Sequence, residues 1–148
     1  MNNKKIFLAA PISGFAYENE YLEYRKKVLN LISFLRDNSF YVYSEIEGVT
    51  NKDSYDSPEI SVKNDFNRIN NSDIFLLLHP KKSQTSTLIE LGYAYAKEKK
   101  IIIVGSTTVL PYLALGLPLS GANAHIIDLS DIDARAFLRI TSALNDII

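Results

Sequence analysis

The stretch IFLLL, Ile74 to Leu78, is five apolar residues in a row, leaving no face of the segment for water. A run of this length and composition reads as a strand buried on both faces, the mark of a parallel sheet covered by helices. His79 to Ser86 follows as a polar loop, and a helix runs from there through about Glu98. Ile101 to Val104 is then a second fully apolar run. Strand, helix, strand is the order a parallel pair demands, because parallel neighbours need a crossover connection.

The same alternation extends in both directions. Lys5 to Ala10 (KIFLAA) is a short strand-like run that stops at Pro11, Ser13 and Gly14. Tyr21, Tyr24, Val28, Leu31 and Leu35 recur at helical spacing, with Ile32 widening the stripe. Phe40 to Ser44 (FYVYS) is aromatic and branched, which suits a second strand. Glu45 to Ser57 is a polar loop. Ser57-Pro58-Glu59 then starts a helix with a serine cap and a first-turn proline, its buried face formed by Val62, Phe66 and Ile69. Downstream, Thr107 to Leu117 is a short helix broken by Pro111, Ile126 to Leu129 a fifth strand, and Asp131 to Asn145 a final helix with Ile132, Phe137, Ile140 and Leu144 inward.

These elements predict one α/β domain over residues 1–148, three-layered (α/β/α), with a five-stranded parallel sheet in the flavodoxin-like order 2-1-3-4-5. In such sheets ligands sit beyond the carboxyl ends of the strands where the connection direction reverses, here between the first and third strands. The loops that converge there are Ala10 to Ala16 and His79 to Thr87.

Composition narrows the chemistry. The chain has 148 residues, a formal net charge of −1 and no cysteine. Thiolate nucleophiles, disulfides and cysteine-ligated zinc are therefore excluded. His79 and His125 do not make a three-histidine metal site, so neither a metal nor a cofactor is expected. A near-neutral charge gives no broad footprint for nucleic acid. No run of about 18 apolar residues is present to cross a bilayer, and the start of the chain lacks the shape of a cleaved signal, so the expected location is the cytoplasm. Catalysis must rest on carboxylates, hydroxyls, amides, a tyrosine, a lysine or a histidine.

Glu90 falls at the topological site, just inside the helix after the third strand. Unpaired amides at a helix N-terminus favour an ionised carboxylate, which can attack an anomeric carbon or stabilise its positive charge. A plainer role competes: Thr87-Leu88-Ile89-Glu90 fits a capping box, in which Glu90 serves a backbone amide. Asp65 sits beside the Val62/Phe66/Ile69 stripe. It either reaches over the sheet edge to a sugar hydroxyl or pairs with Arg68 in solvent. His79 ends the third strand at the correct edge and either donates to a leaving base or is a bystander. His125, before the fifth strand, and Asp73, before the third, lie at the opposite edge; Asp73 is structural. Gln84, Thr85, Ser86 and Thr87 offer hydroxyl and amide groups near a helix N-terminus. Pro11-Ile12-Ser13-Gly14 is not a GxGxxG loop, so Rossmann-type dinucleotide binding has no support.

Asn64 to Lys100 (NDFNRINNSDIFLLLHPKKSQTSTLIELGYAYAKEKK) resembles the nucleoside 2-deoxyribosyltransferase family. There a segment like NDLNxI, an SD/ND strand, a short polar loop and ELGYA follow one another at nearly this spacing. KIFLAAPISG is similar to the family's first strand and substrate loop. The resemblance implies a flavodoxin-like fold, a glutamate nucleophile at Glu90, and an aspartate near the sugar and leaving base at Asp65. It implies further that Phe7, Ala10, Pro11, Gly14, Gln84 and Ser86 line the substrate pocket, that the ligand is a nucleoside or nucleotide, and that the chain self-associates. Phe7 stands where family members often have a tyrosine, Gln84 where they have an acidic base contact, and Pro111 roughly where a neighbouring subunit's asparagine is supplied.

A second pattern, DIFLLL, a serine-containing loop, a helix with Glu-Leu and a KKIIIV strand, is similar to the TIR domain, whose glutamate cleaves nicotinamide from NAD. The tryptophan-cysteine pair of that family has no counterpart here. The expectation is cleavage or transfer at the N-glycosidic bond of a (deoxy)nucleoside or nucleotide through a glutamate nucleophile. The alternatives are a nucleotide-sensing module of the same fold and a TIR-like NAD glycohydrolase.

Overall fold

Strand and helix alternate through the whole chain in the computed structural model, which describes residues 3–54, 56–83 and 85–147. In order they are β1 (Lys5–Ala9), α1 (Glu18–Asp37), β2 (Tyr41–Tyr43), α2 (Pro58–Asn70), β3 (Ile74–Leu78), α3 (Thr87–Ala96), β4 (Lys100–Val104), α4 (Tyr112–Gly116), β5 (Ala124–Ile127) and α5 (Ala134–Ile147). Short 3-10 turns lie at Glu45–Glu47 and Leu117–Leu119. The sheet is parallel, in the order β2-β1-β3-β4-β5, the flavodoxin-like arrangement expected from the alternation.

Because side chains on a strand alternate, each inner strand feeds two cores. Ile6, Leu8, Ile74, Leu76, Leu78, Ile102 and Val104 join the buried faces of α1 and α5. Phe7, Ala9, Phe75, Leu77, Ile101 and Ile103 join Ile69 of α2, Leu91 and Ala94 of α3 and Ala114 of α4. All five residues of β3 are buried, and each large side chain so placed contributes roughly 1.5–3 kcal/mol. The register sets Phe7 beside Phe75 and Leu76 beside Ile102. Asp73 closes the amino edge: its Oδ2 accepts the Lys5 N–H at 2.9 Å, and its own N–H donates to the Lys5 carbonyl. That is the structural role expected of it.

Three local expectations are corrected. On α2 the buried residues are Asp65 and Ile69, while Val62 is exposed and Phe66 only half-buried. Phe66 stacks at 4.4 Å on Tyr93 of α3, which places it on the helix flank and turns the Asp65–Ile69 row toward the sheet. β5 starts at Ala124, so His125 lies within the strand opposite Ile102 rather than before it. The helix expected over Thr107–Leu117 is confined to Tyr112–Gly116, with Pro111 as its cap. Ser106 instead turns the preceding segment by accepting the Val109 and Leu110 N–H groups.

Among the described residues no helix is long and apolar enough to cross a membrane.

Candidate active site

β1 is flanked by β2 on one side and β3 on the other, with α1 and α2 on opposite faces. The connection direction therefore reverses at β1, and a crevice opens beyond the carboxyl ends of β1 and β3. A cavity of about 300 Å³ occupies it. The loop after β1 supplies Ala10, Pro11, Ile12 and Ser13 to its wall; the start of α3 supplies Ser86, Thr87 and Glu90. Asp65 and Ser61, one turn apart on α2, complete it together with Glu45 and Thr85.

Among the described residues Glu90 makes no capping bond. The residue before α3 is Ser86, which makes no side-chain capping bond, and the described contact of Glu90 is its own N–H donating to the Ser86 carbonyl at 3.1 Å. Thr87, the cap in the alternative role, shares a short hydroxyl–hydroxyl hydrogen bond with Thr85. The Glu90 carboxyl lines the cavity and is only 8% exposed. Burial, then the charges of Asp65 and Glu45, push its pKa from the ordinary 4.5 up to about 9.

Asp65 is equally buried, and among the described residues its Oδ1 has no hydrogen-bond partner. Among the described residues it makes no ion pair with Arg68, whose guanidinium instead lies 4.7 Å over the Tyr43 ring. Burial, followed by the neighbouring Glu45 carboxyl, raises the Asp65 pKa from 3.8 to about 7. An acid in this state is suited to hold a proton near neutrality and to give it up.

Glu45 and Ser61 are cavity residues that sequence reasoning passed over. Glu45 stands two positions beyond β2, at the same sheet edge as the other loops, so topology alone could have flagged it. It was hidden within a segment read only as a polar loop. α1 fixes this segment from behind: Tyr21 Oη donates to the Val49 carbonyl at 2.6 Å, and Arg25 donates through Nε to Ile46 and through Nη2 to Glu47. Ser61 could have been found from its spacing, four residues before Asp65 on one helix face.

The remaining candidates divide. Ala10, Pro11 and Ser86 are at the cavity wall. Gly14 is exposed in the neighbouring loop at a φ of +92°, a left-handed geometry that favours glycine. Phe7 lies beneath the site, fully buried, stacked 5.7 Å from Phe75 and tilted 5.5 Å from Tyr43, and is not among the described lining residues. Gln84 lies outside the described residues. His79 is 1% exposed, and among the described residues neither ring nitrogen has a hydrogen-bond partner in bonding geometry. Burial lowers its pKa, opposed by the Val109 carbonyl, and it does not line the cavity. Among the described residues no group of three ligating side chains is set to hold a metal ion.

Comparison with known proteins adds to this geometry. A family described as "Nucleoside 2-deoxyribosyltransferase like" matches residues 3–108. No curated protein matches the sequence. Among solved structures, the chain is similar to the Clostridium botulinum CMP N-glycosidase BcmB, at 25% identity over 94% of this chain and 99% of that one, TM-score 0.72. It is similar to BlsM at 20% identity over 98% and 91%, TM-score 0.77. It is also similar to a conserved protein from Enterococcus faecalis V583 at 17% identity over 99% and 98%, TM-score 0.52. The last two likenesses bear on the fold.

Proposed function

The chain belongs to the nucleoside 2-deoxyribosyltransferase-like family, and on that premise we propose that it cleaves or transfers at the N-glycosidic bond of a nucleoside or nucleotide with Glu90 as nucleophile. Family and structural likeness tie it to enzymes that modify nucleosides and nucleotides. The observation that carries the finer statement is the pairing of two buried carboxyls, Glu90 and Asp65, on one cavity at the switch point of the sheet.

In the reaction, a Glu90 carboxylate oxygen attacks the anomeric carbon on one face of the sugar as the bond to the base nitrogen breaks on the other. The bonding pair leaves with the base, which takes a proton from Asp65. Water, or the nitrogen of a second base, then attacks the same carbon, loses its proton to Asp65, and returns Glu90 to its carboxylate. Glu90 must be ionised to attack, whereas burial and the Asp65 and Glu45 charges favour its protonated form near neutrality, so the attack draws on the ionised fraction. Proton donation of this kind is worth about 10²–10⁴-fold.

Self-association is part of the same proposal. An apolar groove of about 490 Å³ runs between α3 and α4, lined by Leu88, Leu91, Tyr95, Leu113 and Leu117. α3 carries Glu90 on its other side, and a second copy of the chain is the occupant the family resemblance implies.

Incubation with deoxynucleosides, ribonucleosides and nucleoside monophosphates, followed by chromatography, is expected to release free base. In Glu90→Ala the release drops at least about 10³-fold. Intact substrates with a folded wild-type protein overturn the catalytic proposal; ligand-dependent thermal stabilisation without product would favour the nucleotide-sensing alternative.

A further inference from the structure

At the β2 edge of the sheet the register sets Lys5 beside Tyr41 and Phe7 beside Tyr43. Side chains alternate along a strand, so these four share one face, the one that Ile69 of α2 packs on. α2 ends at Asn70, and Tyr41 remains 61% exposed. A groove of about 610 Å³ lies here, lined among others by Lys5, Tyr41, Tyr43, Arg68 and the helix-end residue Ser72. Its described walls hold three cations, Lys5, Arg36 and Arg68, and no aspartate or glutamate. Two carboxyls beside these walls are already engaged: Glu47 holds Arg36 at 2.9 and 2.7 Å, and Asp73 accepts the Lys5 N–H at 2.9 Å. Arg36 also donates to the Val42 carbonyl, which leaves it a wall rather than an anchor.

Arg68 is placed differently. Its guanidinium lies 4.7 Å over the Tyr43 ring, and among the described residues it makes no ion pair. Stacking fixes the plane of the group and leaves its N–H fork for an acceptor, the geometry that grips a phosphate or carboxylate through two bonds. The carbonyl end of α2, which would repel an anion, is covered: Lys99 Nζ donates to the Asn70 and Ser72 carbonyls at 2.9 and 2.8 Å. Tyr41 adds an exposed ring on the same face. We infer that this groove is a second ligand site that binds a small aromatic phosphate, its oxyanion on Arg68 and Lys5 and its ring against Tyr41. The volume is that of a small-molecule pocket, and the groove shares no described lining residue with the cavity of Asp65 and Glu90. The inference goes beyond the N-glycoside proposal and does not rest on it.

The test is calorimetry on the full chain with phenyl phosphate, inorganic phosphate and benzyl alcohol. Phenyl phosphate is expected to bind roughly tenfold more tightly than either of the others, because only it offers both ring and oxyanion, and less tightly as salt rises. Arg68→Gln is expected to weaken its binding about fivefold or more, and Lys5→Gln to weaken it as well, each with the circular dichroism spectrum of wild type. Should Arg68→Gln fail to fold, Lys5→Gln carries the test alone, since that side chain is exposed. Glu90→Ala is expected to bind phenyl phosphate as wild type does. Absence of saturable binding, equal affinity for the three probes, or binding untouched by Arg68→Gln and Lys5→Gln overturns the inference. Loss of binding in Glu90→Ala assigns the ligand to the other cavity and overturns it too. Base release is a separate readout, so the N-glycoside proposal stands or falls by its own assay.

Discussion

Asp65 and Glu90, on successive helices, open onto one cavity, and each is 8% exposed. The Asp65 charge makes ionisation of Glu90 harder, on top of the burial that both share. The Phe66–Tyr93 stack, one residue beyond Asp65 and three beyond Glu90, joins the two helices. Packing between the two helices thus helps to hold the carboxyl pair in place.

The coupling is measurable at Glu90. Asp65→Asn removes the second-largest cause of its shift and leaves the largest, burial, in place. Carbon-13 carboxyl titration is expected to show the Glu90 pKa falling below about 9 yet staying above 4.5. An unchanged titration curve would mean that the two groups do not interact.

Stability should carry the same signature. For a carboxyl whose folded pKa is raised, nothing is lost below the unfolded value, since both states hold the proton. Between the unfolded and folded values the unfolded chain releases its proton first, so stability falls as pH rises. The loss is complete above the folded value. For Glu90 that window runs from 4.5 to about 9, and for Asp65 from 3.8 to about 7. The Tm difference between Glu90→Gln and wild type is therefore expected to widen from pH 5 to pH 9; a difference independent of pH contradicts it.

Tyr21 braces the segment that carries Glu45 through its buried bond to the Val49 carbonyl. Tyr21→Phe leaves that carbonyl unpaired and is expected to cost about 1–2 kcal/mol in urea unfolding. Because Tyr21 touches no cavity residue's reacting atoms, base release at 25 °C should persist. A loss under 0.3 kcal/mol, on the order of measurement noise, would show the bond to be dispensable.

The groove beside α3 exposes Leu113, which is 82% accessible. Light scattering is expected to find wild type as a dimer and Leu113→Glu as a monomer with the same circular dichroism spectrum. Burying a new charge in an apolar contact without a partner is costly enough to dissociate it. A monomeric wild type at high concentration rules out this interface.

Five strands, five helices and their order were legible in the residues, because unbroken apolar runs such as Ile74–Leu78 and Ile101–Val104 have few other ways to be buried. The carboxyl edge, and with it Glu90, followed from topology. The face of α2 did not follow. Val62, Phe66 and Ile69 are the apolar residues, and hydrophobic spacing assigned them the inside; yet Asp65 is buried and Val62 is not. Glu45 was missed for a related reason: a polar loop gives no local sign of which member will be pinned toward a distant helix.

What the sequence determined alone was the architecture, since burying apolar runs and crossing between parallel strands depends on pattern within a few neighbouring residues. Only the tertiary structure decided that Glu45, Asp65 and Glu90, far apart along the chain, share one cavity. The raised pKa values of Asp65 and Glu90 come from lost water and neighbouring carboxyl charge, and both exist only once the chain has brought these groups together.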